Sequence, residues 1–172
     1  MSIHAITIPC FAQMLRTLSA LLSKGESCAL EGGYDPIILL ESRLAPDMHN
    51  LARQVQYACV QAQEAVQRLT HQPLETLSPP EDIASAKALI ERTLRLLDTA
   101  DAAAIDAAAD LKLAIELPNN ITFDMTGSEY AVNWVTPQFY FHLVTAYNIL
   151  RHNGVPLGKA DYVQHMFAYL RQ

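Results

Sequence analysis

Apolar residues three and four positions apart recur along this chain. Phe11, Met14, Leu15, Leu18, Leu21 and Leu22 open the pattern, and Met48, Leu51, Val55, Ala58, Ala62, Val66 and Leu69 repeat it. Ile83, Ala86, Ile90, Leu94 and Leu97 repeat it again, and a fourth run extends from Val132 to Asn153. That spacing lines one face of an α-helix and neither face of a strand. Four amphipathic segments in 172 residues bury their stripes most simply against one another. The pattern therefore predicts an all-α four-helix bundle, a single domain over residues 1–172.

The punctuation between the stripes is consistent with this. A first helix is expected to begin near Thr7-Ile8-Pro9, with Pro9 in its first turn, and to stop before Gly32-Gly33. Asp35-Pro36 reads as N-cap and first position of a second helical region, and Pro46 predicts a kink or short break within it. Gln72 to Pro80 reads as a loop and Glu81 to Asp98 as the third helix. The alanine-rich stretch Ala100 to Ala109 reads as a spacer with at most a short helix. Lys112–Leu117 and Ile121–Met125 then alternate around Pro118-Asn119-Asn120, which predicts a β-hairpin that must pack on the bundle. Thr126, followed by Glu129, forms a capping box at the start of the last long helix, which Gly154 and Pro156 end. A tail from Leu157 is expected to add a final helical turn or two through Tyr169.

Composition excludes several classes of function. Apolar residues make up 51% of the chain and charged residues only 17%, a shortage of charge that favours a buried interface and hence a homodimer. The net charge is −6 with no basic stripe, which argues against nucleic-acid binding. No uninterrupted apolar stretch of about 18 residues is present, so no membrane span is expected. The start lacks a basic region before its apolar run, so no signal peptide is expected either. Cys10, Cys28 and Cys59 form no CxxC, and on one helix Cys10 and Cys28 would lie ~27 Å apart. Unpaired thiols point to the cytoplasm.

The last long helix carries the candidate site. At ~100° per residue, Val132, Val135, Phe139, Ala146, Ile149, Leu150 and Asn153 share one face, and His142 falls within about 40° of its centre. Gln138 lies one turn earlier on the same side. Tyr140, Val144 and Tyr147 make the opposite face apolar too, so the hairpin and tail, or a partner subunit, must cover it. Pro137 frees the carbonyl of Asn133, either as a packing kink or as a broken turn that aims Gln138 and His142 into a cavity.

An inward histidine is a structural hydrogen-bonding group or a ligand, and metal chemistry needs further inward ligands. On the second helix the wheel places Asp47 about 60° from the stripe and His49 about 140° from it, so Asp47 is the expected partner and His49 is expected to face water. His152 is expected to cap helix carbonyls, and His4, His71 and His165 to be solvated. The chain has no GxSxG, Walker, HExxH or GxGxxG sequence.

The order Arg43-Leu44-Ala45-Pro46-Asp47-Met48, Arg53-Gln54-Val55-Gln56, Thr126-Gly127-Ser128-Glu129-Tyr130 and Pro137-Gln138-Phe139-Tyr140-Phe141-His142 resembles a branch of unassigned activity in the DinB/YfiT-like superfamily. The resemblance continues through Thr145 to Val155 and Gly158-Lys159-Ala160-Asp161-Tyr162, nearly the whole chain. It implies a bacterial DinB-like four-helix bundle with the hairpin inserted before the last long helix. The superfamily is known for a three-histidine site for nickel or zinc, one histidine from the second helix and two from an HxxxH on the last. By that comparison His142 matches the second histidine of the HxxxH and Gln138 stands where the first would be. His49, or Asp47 in its place, stands for the third. A divalent metal held by Asp47, Gln138 and His142 would imply an enzyme akin to the superfamily's thiol-dependent transferases and isomerases. Without a metal, the same residues form a buried polar network or a pocket for a small-molecule ligand.

Overall fold

The computed structural model describes residues 2–118 and 120–171. Helices α1 (Ile3–Glu31), α2 (Ile37–Glu41), α3 (Leu51–Leu69), α4 (Ile83–Asp98) and α5 (Ala102–Ala107) lead to an antiparallel hairpin, β1 (Lys112–Leu117) and β2 (Ile121–Thr126). A helical stretch follows, made of α6 (Gly127–Glu129), a π-helical segment (Tyr130–Val135) and α7 (Thr136–His152). Short α8 (Lys159–Tyr162) and a 3-10 segment (Gln164–Tyr169) form the tail. The chain is mostly helical, as the apolar spacing predicts, and α1, α3, α4 and α7 enclose one core.

The direction of the four long helices follows from their contacts. Phe11 packs on Phe139 with ring centres 4.3 Å apart, and Gly25 lies against Leu150, so α1 and α7 are parallel. Gln54 meets His142 while Arg68 lies beside Tyr130, so α3 is antiparallel to α7. Lys87 pairs with Glu26 and Asp98 with Arg16, so α4 is antiparallel to α1. Consecutive helices α3 and α4 therefore run the same way, and Gln72 to Pro80 must travel back along the bundle. This segment is a crossover strap, where the sequence suggested a plain loop. Buried glutamines of α3 hold it: Gln56 Nε2 donates to the Leu77 carbonyl, Gln63 Nε2 donates to the Glu75 carbonyl at 2.9 Å, and the Glu75 amide donates to Gln67 Oε1 at 3.4 Å. Extended backbone against a helix needs such partners, because its own peptide groups have no ladder to join.

Other departures from the expected boundaries have local causes. Helix α1 starts at Ile3, capped by Ser2, and Pro9 lies inside it. The carbonyl of Ala5, which loses its usual donor at Pro9, faces the Cys10 thiol at 3.9 Å. The alanine-rich stretch is more than a spacer: Ile105 is buried, and Asp106 accepts from Ser2 Oγ and the His4 amide at the start of α1. The Pro46 break occupies residues 42–50, and Asn50, whose side chain accepts from the Arg53 amide at 3.1 Å, starts α3 afresh.

The hairpin packs as expected, with Ile115 buried and Phe123 5.4 Å from Trp134. Asn119 of its turn lies outside the described residues, and Asn120 takes a left-handed conformation at φ 59°. The Thr126–Glu129 capping box forms in both directions. Gly127 lets α6 approach the 3-10 turn that follows α5 closely, since a Cβ there would lie 2.0 Å from the Ala108 carbonyl oxygen.

The last helix carries the largest local surprise. Its π-helical turn spends more residues per turn than an α-helix, so positions before Val135 rotate relative to those after it. Val132, expected inside, is 51% exposed, and Tyr130 and Ala131 are buried instead. The wide turn ends where Pro137 removes an amide donor. The second face of the helix is covered partly by the tail, with Tyr147 5.9 Å from Tyr162. Helix α1 alone among the described residues is long and apolar enough to cross a membrane, but its Phe11, Leu15, Leu18 and Leu22 are completely buried in the bundle core.

Candidate functional site

His142 lies on α7 where that helix crosses the first turn of α3. Its Nδ1 is 2.8 Å from Gln54 Oε1, and Gln54 Nε2 donates to the His49 carbonyl at 3.1 Å. The second bond fixes the first, because an amide whose nitrogen is spent on a carbonyl presents its oxygen to the histidine. The imidazole must then donate from Nδ1, and Nε2 keeps its lone pair. The anchoring amide is itself 1% exposed, so water does not compete for it.

Aromatic rings fix the plane of the imidazole. Tyr57, one turn after Gln54 on α3, stacks on His142 at 5.1 Å, and Phe141 meets it edge-on at 5.3 Å. His49 approaches the Tyr57 ring at 5.2 Å. Partial burial, reinforced by the nearby His49, pushes the pKa of His142 down to about 4. The ring is therefore neutral at pH 7, and a proton does not occupy Nε2.

The residues singled out in the sequence fall differently around this centre. Gln138 is half-buried one turn before His142. Asp47 is exposed in the 42–50 segment, and no hydrogen bond joins it to His142 among the described residues. The wheel that turned Asp47 inward assumed a continuous helix, whereas α3 begins only at Leu51. His49 is exposed as well, yet through Tyr57 it stands nearer the imidazole's surroundings than its helical angle implied. The partner that sequence reasoning missed is Gln54. The signal was present: it follows Leu51 by three positions and precedes Ala58 by four, so the same wheel puts an amide on the apolar stripe.

Among the described residues, no three His, Cys, Asp or Glu side chains converge as metal ligands. Gln138 offers a neutral amide, a weak donor to zinc or nickel, whereas the Nε2 lone pair of His142, oriented by the Nδ1 bond to Gln54, is a competent one. Of these two positions on α7, only His142 is therefore a strong donor to zinc or nickel.

A cavity of about 620 Å³ lies away from His142, between the first half of α1, the end of α4 and the tail. His165 lines it half-buried, so it is not the solvated side chain expected of the tail.

Comparison with known proteins agrees with the architecture. Residues 3–163 match the family described as "Domain of unknown function (DUF1993)". No curated protein matches the chain. The fold is similar to the crystal structure of a DinB family member protein from Shewanella denitrificans, with a TM-score of 0.84 and 38% identity over 93% of this chain and 90% of that one. With that match to a DinB bundle and the family match across almost its whole length, the chain belongs to the DUF1993 family of DinB-like proteins.

Proposed function

We propose that the chain is a bacterial, cytoplasmic bundle that binds a small molecule through His142, without a complete three-histidine metal site. The observation that carries this reading is the hydrogen bond from Nδ1 to Gln54, which leaves the Nε2 lone pair free to accept from a ligand N–H or O–H. A conjugate acid with a pKa of about 4 is far from pH 7, a poor match for general acid–base work but well suited to a neutral acceptor. Cys10, Cys28 and Cys59 as free thiols support the cytoplasmic assignment. Phe141, 57% exposed beside the site, and Val144 on the same helix support a homodimer, for which light scattering is expected to give twice the chain mass.

The competing reading is a metal-dependent enzyme related to the thiol-dependent transferases and isomerases. It is favoured by one observation, the two imidazoles of His49 and His142 flanking Tyr57. Metal analysis of protein purified without a histidine tag separates the two. The binding-protein reading expects zinc and nickel well below one per chain. Stoichiometric metal that disappears in His142→Ala would replace it with the enzyme reading.

A further inference from the structure

The cavity between α1, α4 and the tail combines an apolar floor with a polar rim. Ile8, Ala12 and Leu97 supply the floor, and Arg16, Gln13 and His165 supply the rim. We propose that it is a second binding site, independent of His142, for a small aliphatic carboxylate. Its volume, about 620 Å³, falls within the range of small-molecule sites.

Two polar groups on the rim are under-used. His165 Nδ1 is shut off from solvent and has no hydrogen-bond partner among the described residues, a state that costs free energy until a partner arrives. Arg16 touches Asp98 through one nitrogen at 3.4 Å, a loose contact that leaves most of its planar fork free. A carboxylate fits that fork in a bidentate manner. Asp98, which also lines the cavity, holds only one guanidinium nitrogen, and the aliphatic body of the ligand covers Ile8, Ala12 and Leu97. The site also spans two parts of the chain, because His165 belongs to the tail and Arg16 to α1. Binding therefore pins the 3-10 segment to the bundle.

Octanoate is the probe, with octan-1-ol as its uncharged control, followed by amide NMR shifts of the full chain. The expected result is saturable shifts at Ala12, Leu97 and His165 with none at His142, and octan-1-ol weaker by at least tenfold. Arg16→Gln is expected to weaken octanoate at least tenfold with an unchanged Tm, since the Arg16–Asp98 pair is exposed. Should that variant fold poorly, Gln13→Trp, which fills the half-buried wall, is expected to abolish binding. Absence of shifts at the cavity, equal binding of octan-1-ol, or undiminished binding by the substituted chains would each overturn the assignment. Shifts confined to His142 would also overturn it, while leaving the His142 reading in place.

Discussion

Helix α3 uses buried glutamines on two of its faces, and the two faces do different things. Gln56, Gln63 and Gln67 bond to backbone groups of the strap that returns the chain to the start of α4. Gln54, on the face toward α7, bonds to a backbone carbonyl with its nitrogen and to an imidazole with its oxygen. The first set satisfies peptide groups that would otherwise be stranded, which is a folding role. The second spends one half of the amide on positioning so that the other half can select a tautomer, which is a chemical role. Burial and residue type are the same in both cases; the partner decides the meaning.

The sharpest way to break this comparison is to remove one amide from each face. Gln56→Ala leaves the Leu77 carbonyl without its donor, and chemical denaturation is expected to show a loss of about 1–3 kcal/mol. The imidazole signals of His142 are expected to stay in place. Movement of those signals would show that the faces are coupled. On the other face, Gln54→Leu strands the Nδ1–H of His142, with an expected loss of about 1–2 kcal/mol. In that variant the imidazole is expected to lose its tautomer preference while the strap stays protected from hydrogen exchange.

Much of the fold was legible in the sequence, because its causes are local. Apolar spacing located α1, α3, α4 and α7, and the Thr126–Glu129 capping box and Gly154 bounded the last helical stretch. The strap was not legible. The parallel course of α3 and α4 is a long-range property, and Gln56, Gln63 and Gln67 look like any polar face until something lies on them. The inward turn of His142 is readable from helical periodicity, but residues 42–50 are not helical, so that periodicity favours Asp47 where the structure has Gln54. The π-helical turn was beyond the wheel as well, since one turn of a different pitch resets the phase of everything before it.

Acid sharpens the contrast, because the strap glutamines do not titrate and His142 does. Its pKa falls from 6.5 to about 4 on folding, so between those values the unfolded chain binds a proton that the folded chain refuses. Stability from this group is therefore fully present above pH 6.5 and is lost as the pH falls toward 4. With solvent screening of a half-open group, the loss is expected to be about 1–2 kcal/mol. Denaturation at pH 7 and pH 4.5 measures it, and His142→Gln is expected to remove that part of the slope.

The smallest expected effect lies toward α4. Burial pushes the Cys59 thiol up to about 12 against the opposing pull of Thr93. Thiol-specific reagents at pH 8 are expected to leave Cys59 unmodified until the chain unfolds, while Cys10 and Cys28, both half-buried, react first.

The most direct test of the account is the protonation state of one ring. Long-range proton–nitrogen NMR of the protein with 15N-labelled histidine is expected to show His142 neutral at pH 7, protonated on Nδ1, and titrating near pH 4. A His142 ring protonated on Nε2, or one titrating near 6.5, would contradict the claim that Gln54 leaves Nε2 free for a ligand.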